Sequence, residues 1–338
     1  MISNRFNHTF LHDLKTNYSR IIRGLRNKNF FYKIEKCPVC FSKNNIKISN
    51  SDRYGCYYPL VCCNQCSLLF SKLRIKEDKL TDYYSHIANV IKINNISAVN
   101  AFEDRSSLKS YSYDRFHWIS RFIKNNHTNS VFEFGCSDGA NLFPFFKNGS
   151  DVSGVDFNES RINVGKNKGL DLYSIKSENE TSNFLKTKKY DLIIVSHVIE
   201  HLNDIYSTIK MLLDNTKIDT YFFFETPGID YVFNDSKFDK YPKDNNLMGY
   251  LQFEHLYFFS EKYLNSLFEI FGLKKIKSNS LYRGIFQKVS NDIPDRLIIA
   301  EKMSKLNDNL FEKLSQNENK YKLETSYFKY LLKYFFKL

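Results

Sequence analysis

A carboxylate and three small residues alternate at Glu133-x-Gly135-x-Ser137-x-Gly139, directly after the apolar run Val131–Phe134. Small residues in a tight turn let a ligand lie against the backbone, and a helix opening behind them at Asn141 turns its N–H groups toward the same place. The spacing is not G-x-G-x-x-G, which presents N–H groups to a pyrophosphate. A carboxylate inside the loop points instead to a cationic or amine-bearing ligand. About 20 residues further on, Asp156 ends a second apolar run, where an acid takes the two hydroxyls of a ribose; Phe157 stands beside it. A third group follows at His197-x-x-Glu200-His201. Its side chains handle protons, and its order is not the H-E-x-x-H of a zinc hydrolase. Four cysteines form two pairs, Cys37-x-x-Cys40 and Cys63-x-x-Cys66, with 22 residues between the pairs. Two such turns face to face supply four thiolates to a closed, structural Zn²⁺ site. Cys62 rivals Cys63, but only Cys63 stands two residues from Cys66.

These groups need elements to hold them. An unbroken apolar run predicts a buried parallel-type strand near 191–196, and further strands are expected near 131–135, 151–156, 170–175 and 219–224. Two more are expected near 273–279 and 282–288, joined closely enough to form a hairpin with one antiparallel strand. Helical patterns fall near 140–147, 159–168, 179–188, 203–214 and 260–271. Strands alternating with helices imply an α/β fold, a parallel sheet covered on both faces. Ligands in such sheets lie at the carboxyl ends of the strands. Glu133, Asp156, His197 and His201 all fall there.

Taken in order, Glu133, Gly135, Ser137, Gly139, Asp156, Tyr190-Asp191-Leu192-Ile193 and His197-x-x-Glu200-His201-Leu202 resemble the class I S-adenosylmethionine-dependent methyltransferases. Ser137 stands where a middle glycine is usual. The cysteine pairs ahead of this pattern resemble one subgroup, with an N-terminal zinc-binding domain, that includes the sugar C-methyltransferases of deoxysugar and surface-polysaccharide pathways. The run Phe253-Glu-His-Leu-Tyr-Phe-Phe-Ser260 is similar to the E-H-x-x-Y-F-S of the same subgroup. The resemblance implies a Rossmann-like seven-stranded sheet with helices on both faces, plus a small zinc-ribbon module and terminal helices. It implies S-adenosylmethionine as cofactor, bound by Glu133, Gly135, Ser137, Gly139, Asp156, Phe157 and His197, with Arg115 toward its carboxylate. It implies His255 as a base with Glu254 orienting it, and His201 facing the substrate. Gln252 stands where those relatives often have a tyrosine. The expected reaction is methyl transfer to a carbon or oxygen of a nucleotide-sugar or related glycan precursor. Two alternatives stay open: a methyltransferase acting on RNA or another nucleic acid, and a non-catalytic scaffold that keeps the fold. Against the former, no Asn/Asp-Pro-Pro-Tyr/Phe element follows the fourth strand.

The 338 residues divide into an N-terminal helical segment (1–34), a zinc-ribbon-like module (35–75), a helical connector (76–128), the catalytic domain (129–290) and a C-terminal helical segment (291–338). Helically spaced Phe6, Phe10, Leu14, Tyr18, Ile21, Ile22 and Leu25 suggest a packing or oligomer face. Aromatics make up 16%, which excludes a disordered chain. Lys and Arg exceed Asp and Glu by 49 to 37, but they are scattered, so the charge does not argue for a nucleic-acid partner. No signal-peptide pattern opens the sequence, and no apolar run approaches 18 residues. Cytoplasmic placement is expected, where seven cysteines favour metal over disulfides.

Overall fold

The computed structural model describes residues 20–84, 98–123, 128–233, 247–280, 282–306, 308 and 310. The expectations for Phe6 to Tyr18 and for the C-terminal helical segment beyond 310 lie outside the described residues.

Seven strands form the central sheet: β6 (Ser130–Phe134), β7 (Asp151–Asp156), β8 (Asp171–Ser174), β9 (Leu192–Ser196), β10 (Tyr221–Glu225), β12 (Leu273–Asn279) and β13 (Arg283–Lys288). Their order is β12-β13-β10-β9-β6-β7-β8. β6 pairs in parallel with β7 and β9, and β10 in parallel with β9, whereas β13 runs antiparallel to β10 and β12. The strand order reverses between β6 and β9, which opens a crevice at their carboxyl ends.

The two-residue period of a strand sends alternate side chains to opposite faces, and both faces are covered. Phe132, Ile193, Val195, Phe222 and Phe224 enter one core. Val131, Leu192, Ile194 and Phe223 enter the other. Helices Ile205–Asp214 and Glu261–Ile270 contribute Ile209, Leu212, Leu213, Leu264, Leu267 and Phe268 to the first core. Asp204 and Ser260 cap these helices by accepting from the N–H groups of Ser207 and Tyr263. The helix expected from residue 140 begins only at Phe143, because residues 138–142 turn first and Pro144 takes a first-turn position that needs no N–H.

The cysteine region builds β1 (Phe31–Lys33), β2 (Asn45–Ser51), β3 (Tyr57–Cys63), β4 (Leu69–Ser71) and β5 (Leu73–Ile75). β2, β3 and β4 form an antiparallel sheet completed by β11 (Tyr257–Phe258), with Tyr257 opposite Phe70. Cys37, Cys63 and Cys66 share the first core with Phe132 and Phe259. A third core joins Ile22 and Leu25, from a helix over 20–27, to Tyr58, Phe253 and Phe258. Among the described residues no helix is long and apolar enough to cross a membrane.

Candidate active site

The sequence following β6 folds back at left-handed residues: Gly135 at φ 75°, Ser137 at 54° and Gly139 at 75°. A Cβ at Gly135 would stand 2.4 Å from Val198 Cγ2, so only glycine lets the two loops meet. Gly135 and Cys136 donate their N–H groups to the Val155 carbonyl. Ser137 N–H donates to Asp156 Oδ2 at 2.9 Å, and Asn158 N–H donates to its Oδ1 at 2.7 Å. Asp156 is thereby tied to the loop it faces. Burial raises its pKa despite these two N–H groups.

These loops enclose a cavity of ≈ 810 Å³ at the carboxyl ends of β6, β7 and β9, a size suited to a cofactor with a substrate beside it. Gly135, Ser137, Asp156, Phe157, Arg115, His197, His201 and Glu254 all line it. Gly139 turns the loop from behind, where its Cβ would strike Leu170. Tyr84 stacks on Phe157, ring centroids 5.5 Å apart and 10° from parallel. This tyrosine sits in the connector, where no pattern singled it out.

Glu133 does not line the cavity; it is 1% exposed beneath it. Asn141, which lines the cavity, donates to Glu133 Oε1 at 2.7 Å. Glu133 Oε2 is buried and accepts no hydrogen bond among the described residues. Burial pushes the Glu133 carboxyl up to about 8. Arg115 donates to Asn141 Oδ1 at 3.0 Å and pairs through Nε with Glu225 at the end of β10. Arg283 donates to the other Glu225 oxygen at 2.7 Å. Burial works to raise Glu225, but Arg115, His197 and Arg283 hold it below the usual carboxylate range. Asn141 and Glu225 escaped the sequence reading, since nothing in their spacing marks them.

The fourth strand ends in three histidine and carboxylate neighbours. His197 adopts φ 55° and donates its backbone N–H to the Glu225 carbonyl. Its Nδ1 stands 3.4 Å from Glu200 Oε1. Burial would lower its pKa, but the carboxylates of Glu200 and Glu225 raise it. Ile199–His201 make one 3₁₀ turn rather than an α-helix, so His197 and His201 share no helical face. His201 Nδ1 lies 2.8 Å from the Glu254 carbonyl. A carbonyl only accepts, so Nδ1 carries the proton and the neutral ring keeps its lone pair at Nε2.

His255 lies behind His201 rather than on the cavity wall. The two rings meet edge to face at 4.9 Å. His255 is 7% exposed, and its Nδ1 has no hydrogen-bond partner among the described residues. Burial, with His201 beside it, pushes its pKa down to about 3. Its carbonyl accepts from the buried Tyr58 hydroxyl, which ties the loop to β3. The Glu254 backbone carbonyl also takes the bond from His201. Glu200 is 1% exposed, and neither of its carboxylate oxygens accepts a hydrogen bond among the described residues. Burial alone would raise it, yet the surrounding histidines hold it at about 2.

Cys37, Cys40, Cys63 and Cys66 converge, with all four Sγ atoms within 4.8 Å of one another. Cys37 and Cys66 are 3.6 Å apart, and Cys40 and Cys63 are 3.4 Å apart. Phe41 and Ser67, which follow the second cysteine of each pair, both adopt φ 60°. Their N–H groups donate to the Cys37 and Cys63 carbonyls. Each turn therefore accepts a left-handed non-glycine residue, at about 1–2 kcal/mol, to aim two thiols inward. Cys62 is outside this set, and burial pushes its thiol up to about 12.

A family model described as a methyltransferase domain matches residues 108–278, just over half of the chain. No curated protein matches it. Among solved structures the chain is similar to a SAM-dependent methyltransferase from Archaeoglobus fulgidus, at 22% identity over 42% of this chain and 68% of that one, with a TM-score of 0.31. It is also similar to magnesium protoporphyrin IX methyltransferase from Synechocystis PCC 6803 with bound SAH, at 13% identity over 62% and 98% of the two chains, with a TM-score of 0.41.

Proposed function

Since the chain belongs to the methyltransferase domain family and is an S-adenosylmethionine-dependent methyltransferase, we propose that it methylates a carbon or oxygen of a nucleotide-activated sugar or a related glycan precursor. S-adenosylmethionine would supply an electrophilic methyl on a sulfonium, with S-adenosylhomocysteine as the leaving group when the acceptor attacks the methyl carbon in line. The residues fit that cofactor. Glu133 lies beneath the cavity with an oxygen unpartnered among the described residues and would act on a cationic group through Asn141, Asp156 stands where a ribose is met, and Phe157 with Tyr84 offers an aromatic wall. Arg115, already paired with Glu225, reaches the cavity as the group for a carboxylate.

The acceptor has to lose a proton as it is methylated. His201, Glu254 and His255 carry that end of the cavity in this reading. The Glu254 carbonyl fixes the His201 tautomer, and His255 closes the ring from behind, so the Nε2 lone pair is the basic atom. Holding the acceptor at near-attack distance is the larger part of the work. Arg105, Lys109, Ser107, Ser110 and Ser112 line the same cavity and suit a phosphorylated, hydroxyl-rich acceptor. The observation that carries the reading is the joining of β11 to the cysteine sheet, which brings the Glu254–His255 run to the histidine of the fourth strand.

The cysteine cluster fits Zn²⁺ in this reading. Four thiolates at about 2.3 Å from a tetrahedral ion stand about 3.8 Å apart, close to the 3.4 and 3.6 Å between the paired sulfurs. Four protein ligands leave no open position, so the ion is structural.

The test is calorimetric titration of S-adenosylmethionine and S-adenosylhomocysteine into the protein and into Asp156→Ala, followed by a panel of nucleotide-sugars. Micromolar binding lost in the variant, and methylation of a nucleotide-sugar, are expected. Cofactor binding with methylation only of another acceptor class would overturn the substrate assignment.

A further inference from the structure

Glu200, His201 and His255 each offer one ligand atom, and the three atoms lie within 4.8 Å of one another. Glu200 and His255 are buried, while His201 borders the cavity. Burying a carboxylate whose two oxygens accept nothing is costly, and both Glu200 oxygens are in that state among the described residues. His255 Nδ1 is a third buried polar atom without a partner among them. Unpartnered polar atoms on two of these three clustered side chains call for an occupant that accepts electron pairs. His197 Nδ1, at 3.4 Å from Glu200 Oε1, approaches the same carboxylate from the cavity side and attracts it electrostatically.

We propose that Glu200, His201 and His255 bind a divalent transition-metal ion, which holds oxygen atoms of the acceptor at the floor of the cavity. Two imidazoles and one carboxylate on one side of an ion leave its other positions open for oxygen ligands. His201 is prepared for this role, because its Nδ1–H donates to a backbone carbonyl and its lone pair stands at Nε2. That is the arrangement by which a second shell orients a metal-bound histidine. The Glu200 backbone is fixed as well, its carbonyl accepting from Leu256 N–H at 2.7 Å. The three side chains need to close by about 1 Å to reach metal–ligand distances of about 2.1 Å. The ion is distinct from that of the four cysteines, since its ligands are nitrogen and oxygen and it keeps open positions.

This inference rests on the methyl-transfer reading and refines it: the acceptor oxygen is held by an ion at His201 Nε2 that lowers its pKa, and the proton it loses passes to solvent water in the cavity rather than to the ring. Equilibrium dialysis against micromolar Zn²⁺, with metal analysis, tests it in wild type, Glu200→Gln and His201→Asn. Wild type is expected to hold about one equivalent more zinc than either variant, with affinity at that site falling at least about tenfold in each. S-adenosylmethionine titrated into the same samples reports that each variant is folded. Equal zinc content in wild type and both folded variants overturns the ion. If wild type binds the cofactor without the extra zinc, the ion is lost and methyl transfer stands. If it binds the extra zinc without the cofactor, the ion stands and methyl transfer falls.

Discussion

Replacing Glu133 by glutamine is expected to gain stability relative to the wild-type, cofactor-free protein as the pH rises from 5 to 8. The carboxyl is 1% exposed, so solvent does not screen it. Burial pushes it up to about 8 from an ordinary value of 4.5. Below 4.5 both folded and unfolded chains keep the proton, and ionisation costs the fold nothing. Between 4.5 and 8 the unfolded chain releases the proton and the folded one retains it, so stability falls as pH rises. Above 8 the penalty is constant. The slope is about 1.4 kcal/mol per pH unit, and between pH 5 and pH 7 the loss amounts to about 2.5 kcal/mol. Glutamine keeps the hydrogen bond from Asn141 and abolishes this titration. Its own cost, a buried N–H₂ in place of Oε2, does not change with pH and drops out of the comparison. The assay is urea unfolding of wild type and Glu133→Gln at pH 5, 6, 7 and 8. The gap should move toward the variant by about 2.5 kcal/mol from pH 5 to pH 7, or about 3–4 °C in melting temperature. Parallel stability curves would refute the reasoning, because they would mean that Glu133 is already ionised in the free protein. Conversely, a cationic cofactor bound at pH 7 should displace close to one proton, read by calorimetry in two buffers of different ionisation enthalpy.

Gly165→Ala would place a Cβ 2.3 Å from the Asp138 carbonyl oxygen and 2.4 Å from Leu172 Cδ1; the backbone cannot yield, so a loss near the upper end of overpacking costs, about 3 kcal/mol, is expected in urea unfolding. Tyr84→Ala removes the stack on Phe157, and a contact of about 0.5–1.5 kcal/mol predicts several-fold weaker cofactor binding by calorimetry. Cys63→Ser should abolish metal retention at the cysteine cluster and lower the melting temperature of the whole chain, because Cys63 shares a core with Phe132 and Phe259. Separate transitions for the cysteine region and the sheet would contradict that coupling.

The middle of the sheet was legible because β9 and β10 are apolar without interruption over Leu192–Val195 and Phe222–Phe224, and only a strand buried on both faces tolerates that. The loop after β6 was legible because left-handed turns select small residues. The cysteine pairs were legible from spacing alone, although Phe41 and Ser67 stand where glycine would be easiest. What was hidden depends on contacts between distant stretches. Nothing local tells that Tyr257 will pair with Phe70, or that Arg115 will spend one face on Glu225. Asn141 looked like a helix-start residue, yet it joins Glu133, Arg115 and Ser112. Glu200, a single letter between two histidines, gave no sign that it would be buried among them.

β11 belongs to the cysteine sheet by its hydrogen bonds and to the methyltransferase domain by its position in the chain. A recombinant that joined residues 31–75 of one relative to the catalytic domain of another would assemble one sheet from strands with no shared history. The unit that can be inherited intact is therefore discontinuous, residues 31–75 together with 253–260. Substitutions in those two stretches are expected to track one another across lineages more closely than either tracks the cofactor loop.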